Sequence, residues 1–401
     1  MNQGFMKSAL SISAFAALFV WGCHITEPPA PAENELLDGP VEGLSAAENQ
    51  RFLAGDAAFN TAVFTPQTGL GPLFVATSCG SCHAGDGKGH PFTTLTRFGQ
   101  VDSTGNQFLD QGGPQLQHLA IPGYQPEQIP AGATSSRFLP PANTGLGYLE
   151  AVSDATILAL ADPNDLDGDG ISGVPNYIEL PGYLSPNRDA IPRGGKYIGR
   201  FGRKAAAHNL LHQTVNAYNQ DMGIVSEFFP TDPATGNHMD PEVTTTDLQN
   251  VVFYLHTLKA PLPRNATSGG FANGRLVFHQ IGCESCHRED LTTGASDIAV
   301  LANVTFHPYT DMLLHDMGPG LDDGYTEGTA LTSEWRTTPL WGLGLSADSQ
   351  GGEMYLLHDG RARTIEEAIT LHGGEAESSK NAYLQLSDSE KEAILQFLKS
   401  L

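Results

Sequence analysis

The sequence predicts a mainly α fold of two tandem domains, the first enlarged by loop insertions. Two observations support this prediction. Similar short segments recur in the same order in both halves of the chain, and each half closes with the pattern of an amphipathic helix. Repetition of this kind is typical of chains built from repeated structural units. We place the domains at about residues 46–262 and 263–401.

Three pairs of segments carry the repeat. A Gly and a Phe stand four residues apart in a short helical pattern, at Gly55 and Phe59 and again at Gly274 and Phe278. The middle pair shares Arg, Pro and Gly-Leu-Gly in one order, and the last pair has helical apolar spacing. These pairs are RFLPPANTGLGYLEA (137–151) with RTTPLWGLGLSA (336–347), and TTTDLQNVVFYLHTL (244–258) with SDSEKEAILQFLKSL (387–401).

The amino terminus predicts export. Residues 1–23 carry Lys7 and an apolar run that is too short for a membrane-spanning helix but has the length of a signal-peptide core. The run ends in VWGC, which resembles a bacterial lipobox, so we expect lipidation of Cys23 and a membrane-tethered periplasmic protein. The alternative is a plain secretory signal with an incidental cysteine. Residues 24–45, rich in proline and acid, predict a tether.

The composition limits the partners. The chain of 401 residues has a net charge of −24, with 45 Gly and 26 Pro. Such an acidic surface excludes nucleic acid and favours a basic redox partner protein or a neutral small substrate such as peroxide. An acidic, solvated surface without any partner is the alternative. No segment after residue 23 is apolar enough to span a membrane.

The cysteines identify the cofactor. Four of the five lie in CGSCH (79–83) and CESCH (283–287). They are too few for a disulfide framework and too widely spaced for a zinc ribbon. Cys-x-x-Cys-His is the attachment signature of c-type haem, with two thioether bonds and a proximal histidine ligand. We therefore predict two covalent haems, the first on Cys79, Cys82 and His83 and the second on Cys283, Cys286 and His287. Two unrelated redox pairs are the alternative. Haem sites in both halves make the predicted domains cytochrome c-like.

An insertion in the first half predicts a calcium loop. ADPNDLDGDGISGVPN (161–176) places Asp165, Asp167 and Asp169 at alternate positions before a glycine, as calcium loops begin. The Ile171 carbonyl is a candidate fourth ligand. Asn176 stands where an EF-hand has a bidentate Glu, so the loop is a variant, and a plain Asp/Gly-rich turn is the alternative.

Seven segments together resemble the bacterial di-haem oxidoreductase family, whose members are labelled thiol oxidoreductase or peroxidase. They are CGSCHAGDGKGHP, LDGDGISGVPN, IGRFGRKA, CESCH, PYTDMLLHDMG, EWRTTPLWGLG and YLLHDGRARTIEEAITLHGGEA. The last two are also similar to di-haem cytochrome c peroxidases and methylamine-dehydrogenase maturation enzymes. The resemblance implies two class I cytochrome c domains with unequal haems, one passing electrons and one meeting the substrate. The thiol label has no support, because haem would consume the motif cysteines.

The closing segment offers the sixth ligand of the second haem. In RTIEEAITLHGG, His372 completes an apolar helical stripe that begins at Ile365. In the peroxidases that this segment resembles, the sixth ligand of the electron-transfer haem lies at this position. We therefore predict His372 as the ligand opposite His287, with Met317 and Met354 as alternatives. A histidine with an ordinary hydrogen bond is a further alternative.

The first half differs at the matching place. Aligning GRKAAAHNLLHQTVNA with GRARTIEEAITLH sets Leu210 against Ile365 and Ala217 against His372. Alanine cannot bind iron, so the haem of His83 is expected to keep an open face for a substrate. The peroxidases carry a catalytic Glu where this chain has Leu211. The candidate substitutes are His212, His208 and Glu150, and other candidate iron ligands are His90, His118, Met222 and Met239.

Two arginines complete the predicted site. Arg336 and Arg361 are candidate partners of the haem propionates, since a guanidinium matches a carboxylate. His358 fits a family residue near the haem interface.

The sequence thus predicts an exported di-haem oxidoreductase that takes electrons at the His287 haem and uses them at the His83 haem, in a peroxidase-like reaction. The alternatives are a non-catalytic electron-transfer cytochrome with both irons six-coordinate, serving iron reduction or a membrane chain, and a maturation enzyme.

Overall fold

The computed structural model describes residues 31–401. Within that range the chain is 33 % helix and 11 % strand. The prediction of a mainly α fold is therefore wrong. The longest helices have 13 residues, and long Gly- and Pro-rich segments join them. Glycine and proline both disfavour helix interiors, and here the segments between helices fold into irregular loops and small hairpins.

Ten helices shape the described part of the chain. They are α1 (Ala46–Asp56), α2 (Leu146–Glu150), α3 (Asp154–Leu160), α4 (Leu210–Asn216), α5 (Thr245–Thr257), α6 (Gly269–Gln280), α7 (Ser346–Ser349), α8 (Ile365–Leu371), α9 (Glu377–Gln385) and α10 (Asp388–Ser400). A π-helical turn follows α1 at Ala57–Thr61, and another follows α4 at Ala217–Asp221. Short 3₁₀ turns complete the helical residues.

Ten short strands pair as five separate two-stranded antiparallel sheets within the same range. They are β1 (Leu73–Phe74), β2 (Leu95–Gly99), β3 (Leu119–Ala120), β4 (Thr134–Phe138), β5 (Tyr177–Ile178), β6 (Tyr197–Ile198), β7 (Leu291–Thr292), β8 (Thr305–Phe306), β9 (Leu314–Asp316) and β10 (Glu334–Arg336). The pairs are β1–β3, β2–β4, β5–β6, β7–β8 and β9–β10. Most of these strands have two or three residues, which is too short for alternation to be visible in the sequence.

The same close helix crossing occurs in each half. Helix α1 packs on α5, and α6 packs on α10. A Cβ added at Gly55 would lie 2.1 Å from the Asn250 carbonyl oxygen, and one at Gly274 would lie 2.1 Å from the Ala393 carbonyl oxygen. Only glycine permits backbones to approach so closely. The crossing explains why the sequence repeats a glycine at these two positions.

We expect Gly274→Ala to destabilise the protein by about 1–3 kcal/mol, the usual cost of overpacking a core. The new methyl group would force α6 away from α10. Gly269 in the same helix has open space around its Cβ position, so Gly269→Ala should leave stability unchanged or raise it slightly. Chemical denaturation of both variants checks this, and equal stability of the two would contradict the close-crossing account.

Residues 37–401 form one compact unit, while residues 1–36 form another, of which the structure describes the segment from 31 with a short turn at Glu33–Glu35. The largest hydrophobic cluster of the longer unit joins Phe52 and Tyr254 with Phe306 and Trp341. A second cluster, around Phe278, Tyr383 and Phe397, belongs to the second half alone. Packing thus crosses the predicted domain boundary at 262/263, and the division into two domains stays a prediction.

The predicted signal segment at 1–23, its Cys23 and the first part of the tether lie outside the described residues. Across residues 31–401, none of the helices has the length and apolarity that crossing a membrane requires.

Candidate functional site

Both Cys-x-x-Cys-His motifs fold as tight turns. In the first, the backbone N–H groups of Cys82 and His83 donate to the Cys79 carbonyl at 3.1 and 3.0 Å. In the second, the N–H of His287 donates to the Cys283 carbonyl at 3.0 Å. Each turn brings two cysteines and one histidine together. Cys79, Cys82 and His83 line one cavity, and Cys283 and His287 line another. The equal geometry follows from the equal spacing in the sequence.

The two motif histidines are neutral imidazoles. Burial lowers the pKa of His83 to about 4 and that of His287 to about 4. The His287 Nδ1 lies 3.0 Å from the Tyr309 carbonyl oxygen, so it carries the proton and leaves Nε2 as an electron-pair donor. A neutral imidazole whose other nitrogen is held in this way is the usual form of a histidine metal ligand.

The motif cysteines are protonated thiols. Burial raises the pKa of Cys79 to about 12, of Cys82 to about 11 and of Cys283 to about 12. Redox-active Cys-x-x-Cys pairs depend instead on a depressed thiol pKa. The environment therefore disfavours the alternative of two redox pairs.

The second motif opens on a cavity with an empty volume of about 1400 Å³, part of it open to solvent. Its wall contains Cys283, His287 and His372. Helix α8 ends one residue before His372, whose Nδ1 lies 2.6 Å from the Ala368 carbonyl oxygen. Both imidazoles of this cavity are thus held by backbone carbonyls, with Nε2 left to act as a donor atom. The two imidazoles are therefore candidate ligands for a metal ion in this cavity.

Other predicted residues also reach this cavity. Met317 lies in its wall, as does His358, whose ring stacks on Trp335 at 3.7 Å. Met354 does not line the cavity and packs against the second hydrophobic cluster. Stacking, rather than metal ligation, accounts for the position of His358.

The first motif opens on a cavity with an empty volume of about 1640 Å³, also partly open to solvent. Cys79, Cys82 and His83 line it, and His83 is its only histidine among the described residues. Helices α4 and α8 both have seven residues, and the aligned Ala217 and His372 directly follow them. Ala217 lines the first cavity as His372 lines the second. At this aligned position one cavity thus has an imidazole and the other a methyl group.

Of the four alternative iron ligands in the first half, only Met222 lines the cavity. It is buried, at 2 % exposure. The His90 ring packs on Phe92 and Tyr355 instead. His118 and Met239 are exposed.

The three predicted acid–base residues lie outside the lining of this cavity. Both ring nitrogens of His208 are occupied, by the Ile198 carbonyl at 2.7 Å and the Asn187 N–H at 3.0 Å. The His212 Nδ1 accepts from the His208 N–H at 3.3 Å. Glu150 pairs with His256 at 2.8 Å and accepts from the N-terminal N–H of α4 at 2.6 Å. Their contacts are those of structural residues.

A different group of polar side chains lines the cavity of His83. We call it the polar corner, and its members are Arg97, Gln115, Gln220, Asp221 and Glu327. Arg97 pairs with Glu327 at 2.7 Å and donates to Gln115 and Gln220, each at 3.3 Å. Gln115 donates through Nε2 to the Asp221 carboxylate. Burial raises the pKa of Asp221 to about 6, although Gln115 and Arg97 act in the opposite direction. Asp221 is therefore a group that can exchange a proton near neutral pH.

Sequence reasoning missed the polar corner because its members are far apart in the chain. The π-helical turn that begins at Ala217 ends at Asp221 and so carries its carboxylate to the same wall. The alignment of Ala217 with His372 could have indicated this group. If His372 lies at one cavity, then the residues that follow Ala217, including Asp221, are expected to lie near the other.

A buried histidine beside the second motif was also missed. His315 Nε2 lies 2.8 Å from Asp311 Oδ2, and its Nδ1 lies 2.6 Å from Glu375 Oε2 and 3.6 Å from Cys286 Sγ. Burial alone would lower the pKa of His315, but hydrogen bonds to Asp311, Cys286 and Glu375 hold it well above its usual value. His315 is thus a cation fixed between two carboxylates, next to the sulfur of Cys286.

The predicted calcium loop has a different ligand set from the one expected. Oxygen atoms of Asp162, Asp165 and Asp167 lie within 4.8 Å of one another. Asp169 is outside this group and accepts from the Ile171 N–H at 2.8 Å. The structure thus adds Asp162 to two of the three predicted aspartates, and calcium binding stays a prediction.

The two predicted propionate partners lie in different places. Arg336 is buried and lines both cavities. Arg361 lines neither cavity and pairs with Asp359 at 2.8 Å on a more exposed surface. Only Arg336 is placed to meet a group inside the cavities.

The donor sets fit haem. The first cavity is lined by both motif thiols and a neutral imidazole. The second is lined by Cys283 and the neutral imidazole of His287, with Cys286 in the same turn, and most of the remaining lining of both cavities is apolar. These are the groups that c-type haem requires for attachment and ligation.

Comparison with known proteins agrees with this chemistry. A family described as "Di-haem oxidoreductase, putative peroxidase" matches residues 137–401. No curated protein matches the chain. Among solved structures, hydrazine synthase of Kuenenia stuttgartiensis is similar at 14 % identity over 94 % of this chain and 98 % of its own, with a TM-score of 0.38. A MauG-like protein associated with microbial copper homeostasis is similar at 13 % identity over 94 % and 95 %, with a TM-score of 0.41.

Proposed function

The chain belongs to the di-haem oxidoreductase family, and from that premise we propose that it is an exported c-type enzyme that reduces peroxide or a similar small oxidant. Electrons enter at the haem of His287 and are used at the haem of His83. The observation that carries this proposal is the difference between the two cavities. One contains His287 and His372, whereas the other contains His83 with Ala217 at the matching place.

Covalent attachment is part of the proposal. The thiols of Cys79 and Cys82 hold one haem and those of Cys283 and Cys286 hold the other, with His83 and His287 as proximal ligands. When bound, haem supplies the iron that stores electrons and meets the oxidant. The protein residues around each iron determine whether it stores electrons or meets the oxidant.

The His287 cavity is suited to electron storage. His372 lines the same cavity as His287, so two imidazoles would be available to hold the iron and would leave no ligand position for a substrate. Backbone carbonyls at Ala368 and Tyr309 fix both rings. Fixed ligands allow an electron to arrive and leave with little rearrangement.

The His83 cavity is suited to reduction of a peroxide. That reaction breaks one O–O bond, consumes two electrons and two protons, and yields two molecules of water. Asp221 can take a proton from one peroxide oxygen and return it to the other oxygen, which then leaves as water. Arg97 and Gln115 can donate hydrogen bonds to the leaving oxygen as negative charge develops there. Both consumed protons come from solvent, and the two electrons come from a donor protein.

Pyridine haemochrome analysis, combined with a peroxide-consumption assay using a reduced donor, tests the proposal. We expect two haems per chain, both retained after acid–acetone extraction, and consumption of peroxide that depends on the donor. One haem per chain, extractable haem, or no consumption of peroxide would contradict it.

Met222 supports a second candidate function. Its side chain is buried and lines the cavity of His83, so a thioether is available as a sixth ligand there. With both irons six-coordinate, the protein would be an electron-transfer cytochrome rather than an enzyme. Two low-spin haems and no reaction with peroxide would favour this candidate.

The remaining parts of the proposal concern location and structural metal. Export follows from the predicted signal segment, and lipidation of Cys23 would tether the protein in the periplasm. The acidic surface favours a basic redox partner. Calcium at Asp162, Asp165 and Asp167 would stabilise the loop, and loss of thermal stability on chelation would support that role.

A further inference from the structure

The two cavities share one wall. Lys88, Arg203 and Arg336 line both of them, together with Thr338 and Pro339. The three cationic side chains are 8 %, 6 % and 7 % exposed. A cluster of buried cations between two cavities requires an explanation, because transferring a charge from water to a protein interior is unfavourable.

These cations have no ion-pair partner among residues 31–401. Arg203 donates only to the Leu139 carbonyl at 2.9 Å and the Thr338 hydroxyl at 3.4 Å. Arg336 donates to the Gly202 and Thr337 carbonyls at 3.0 and 3.4 Å. Asp359 raises the pKa of Arg203, and Asp311 raises that of Arg336, but neither carboxylate is within ion-pair distance.

Within residues 31–401, other cations with little solvent exposure are paired. Arg200 lies 2.6 Å from Asp154, Arg97 lies 2.7 Å from Glu327, and Lys204 lies 3.8 Å from Asp323. At these three positions the fold places a carboxylate beside the cation, and each pair is an ordinary structural ion pair. The shared wall is the exception.

Burial and mutual repulsion disfavour the charged forms of the wall residues. Burial, helped by the neighbouring charge of Arg203, lowers the pKa of Lys88 to about 7. Burial and Arg336 lower the pKa of Arg203 to about 9, and burial lowers that of Arg336 to about 10. An anion in contact with the wall would reverse these shifts, because an opposite charge favours the ionised form.

We propose that Lys88, Arg203 and Arg336 form a single anion-binding wall that receives the haem carboxylates of both cavities. The inference rests on the proposed function only in requiring a haem in each cavity. Each haem carries two propionate groups, so two haems bring four carboxylates to three cations. Guanidinium groups bind carboxylates bidentately, and the lysine adds a mobile point charge between them.

The shared wall has a consequence for electron transfer. Because Lys88, Arg203 and Arg336 line both cavities, one layer of charged side chains would lie beside the haem of each cavity. A charge in that layer acts on both irons. It stabilises the reduced state of each, since reduction removes one positive charge from the iron centre.

The test is a spectroelectrochemical titration of the holoprotein and of Lys88→Met, in which the midpoint potentials of the two haems are resolved. We expect both midpoint potentials to fall in Lys88→Met. Lys88→Arg, which keeps the charge, should restore both potentials to near the wild-type values. If Lys88→Met does not retain haem, Arg203→Gln provides the same comparison.

Lys380 supplies a matched control, because it lines the His287 cavity but not the His83 cavity. Lys380→Met should lower one potential and leave the other unchanged. The proposal is overturned if Lys88→Met, like Lys380→Met, shifts a single potential, or shifts neither. The titration uses no peroxide, so a protein inactive toward peroxide but with two coupled potentials would contradict the proposed enzyme activity and leave the wall established.

Discussion

Replacing His372 by alanine should convert the haem of His287 from the low-spin to the high-spin ferric state and change its reduction potential. The second imidazole raises the ligand field at the iron, and axial ligands are a main determinant of haem potential. His372 is held for this role by its Nδ1 contact of 2.6 Å to the Ala368 carbonyl oxygen, while His287 faces the same cavity. Electron paramagnetic resonance of the oxidised protein measures the change.

His358→Ala is the matched control for this variant. His358 lines the same cavity, but its ring stacks on Trp335, so its loss should leave the low-spin signal in place. If His372→Ala instead keeps the wild-type low-spin signal, the ligand lies elsewhere. Met317 is then the next candidate, since it also lines the cavity.

Replacing Asp221 by asparagine should slow peroxide turnover by about 10²–10⁴-fold, the usual contribution of an acid–base group. The resting spectrum should not change, because Asp221 is not an iron ligand in this account. A carboxylate with a pKa of about 6 accepts a proton only when it is ionised. The wild-type rate should therefore rise with pH through about 6 and then level off, and the variant should lose this dependence.

Glu242 is a matched control, because it is a half-buried carboxylate whose pKa is also raised by burial. It lies outside the cavity and accepts from the Val225 N–H at 3.1 Å. Glu242→Gln should keep the wild-type rate and pH profile. Normal turnover in Asp221→Asn together with slow turnover in His212→Gln would contradict the assignment and favour the residue that the sequence suggested.

The motif residues and His372, which the structure places at the two cavities, could be predicted from the sequence because the pattern that marks them is local. A five-residue motif places two thiols and an imidazole on one turn, and the periodicity of α8 places His372 at the end of its apolar face. The repeated glycines at 55 and 274 likewise correspond to a repeated helix crossing. In each case the information lies within one or two turns of chain.

The polar corner and the cation wall could not be predicted in this way. Arg97 is in β2 and Asp221 follows α4, and only the folded chain brings them together through Gln115 and Gln220. Lys88, Arg203 and Arg336 are equally scattered. The mainly α prediction failed for a related reason, since strands such as β5 and β6 have two residues each and leave no periodic pattern.

The central claim is that the two haems are unequal, with one iron closed by two imidazoles and the other open to substrate. Low-temperature electron paramagnetic resonance of the oxidised wild-type holoprotein, with both signals quantified against its haem content, tests this most directly. We predict one low-spin ferric haem and one high-spin ferric haem per chain. Two low-spin haems, with no high-spin signal at any pH at which the protein is stable, would contradict it.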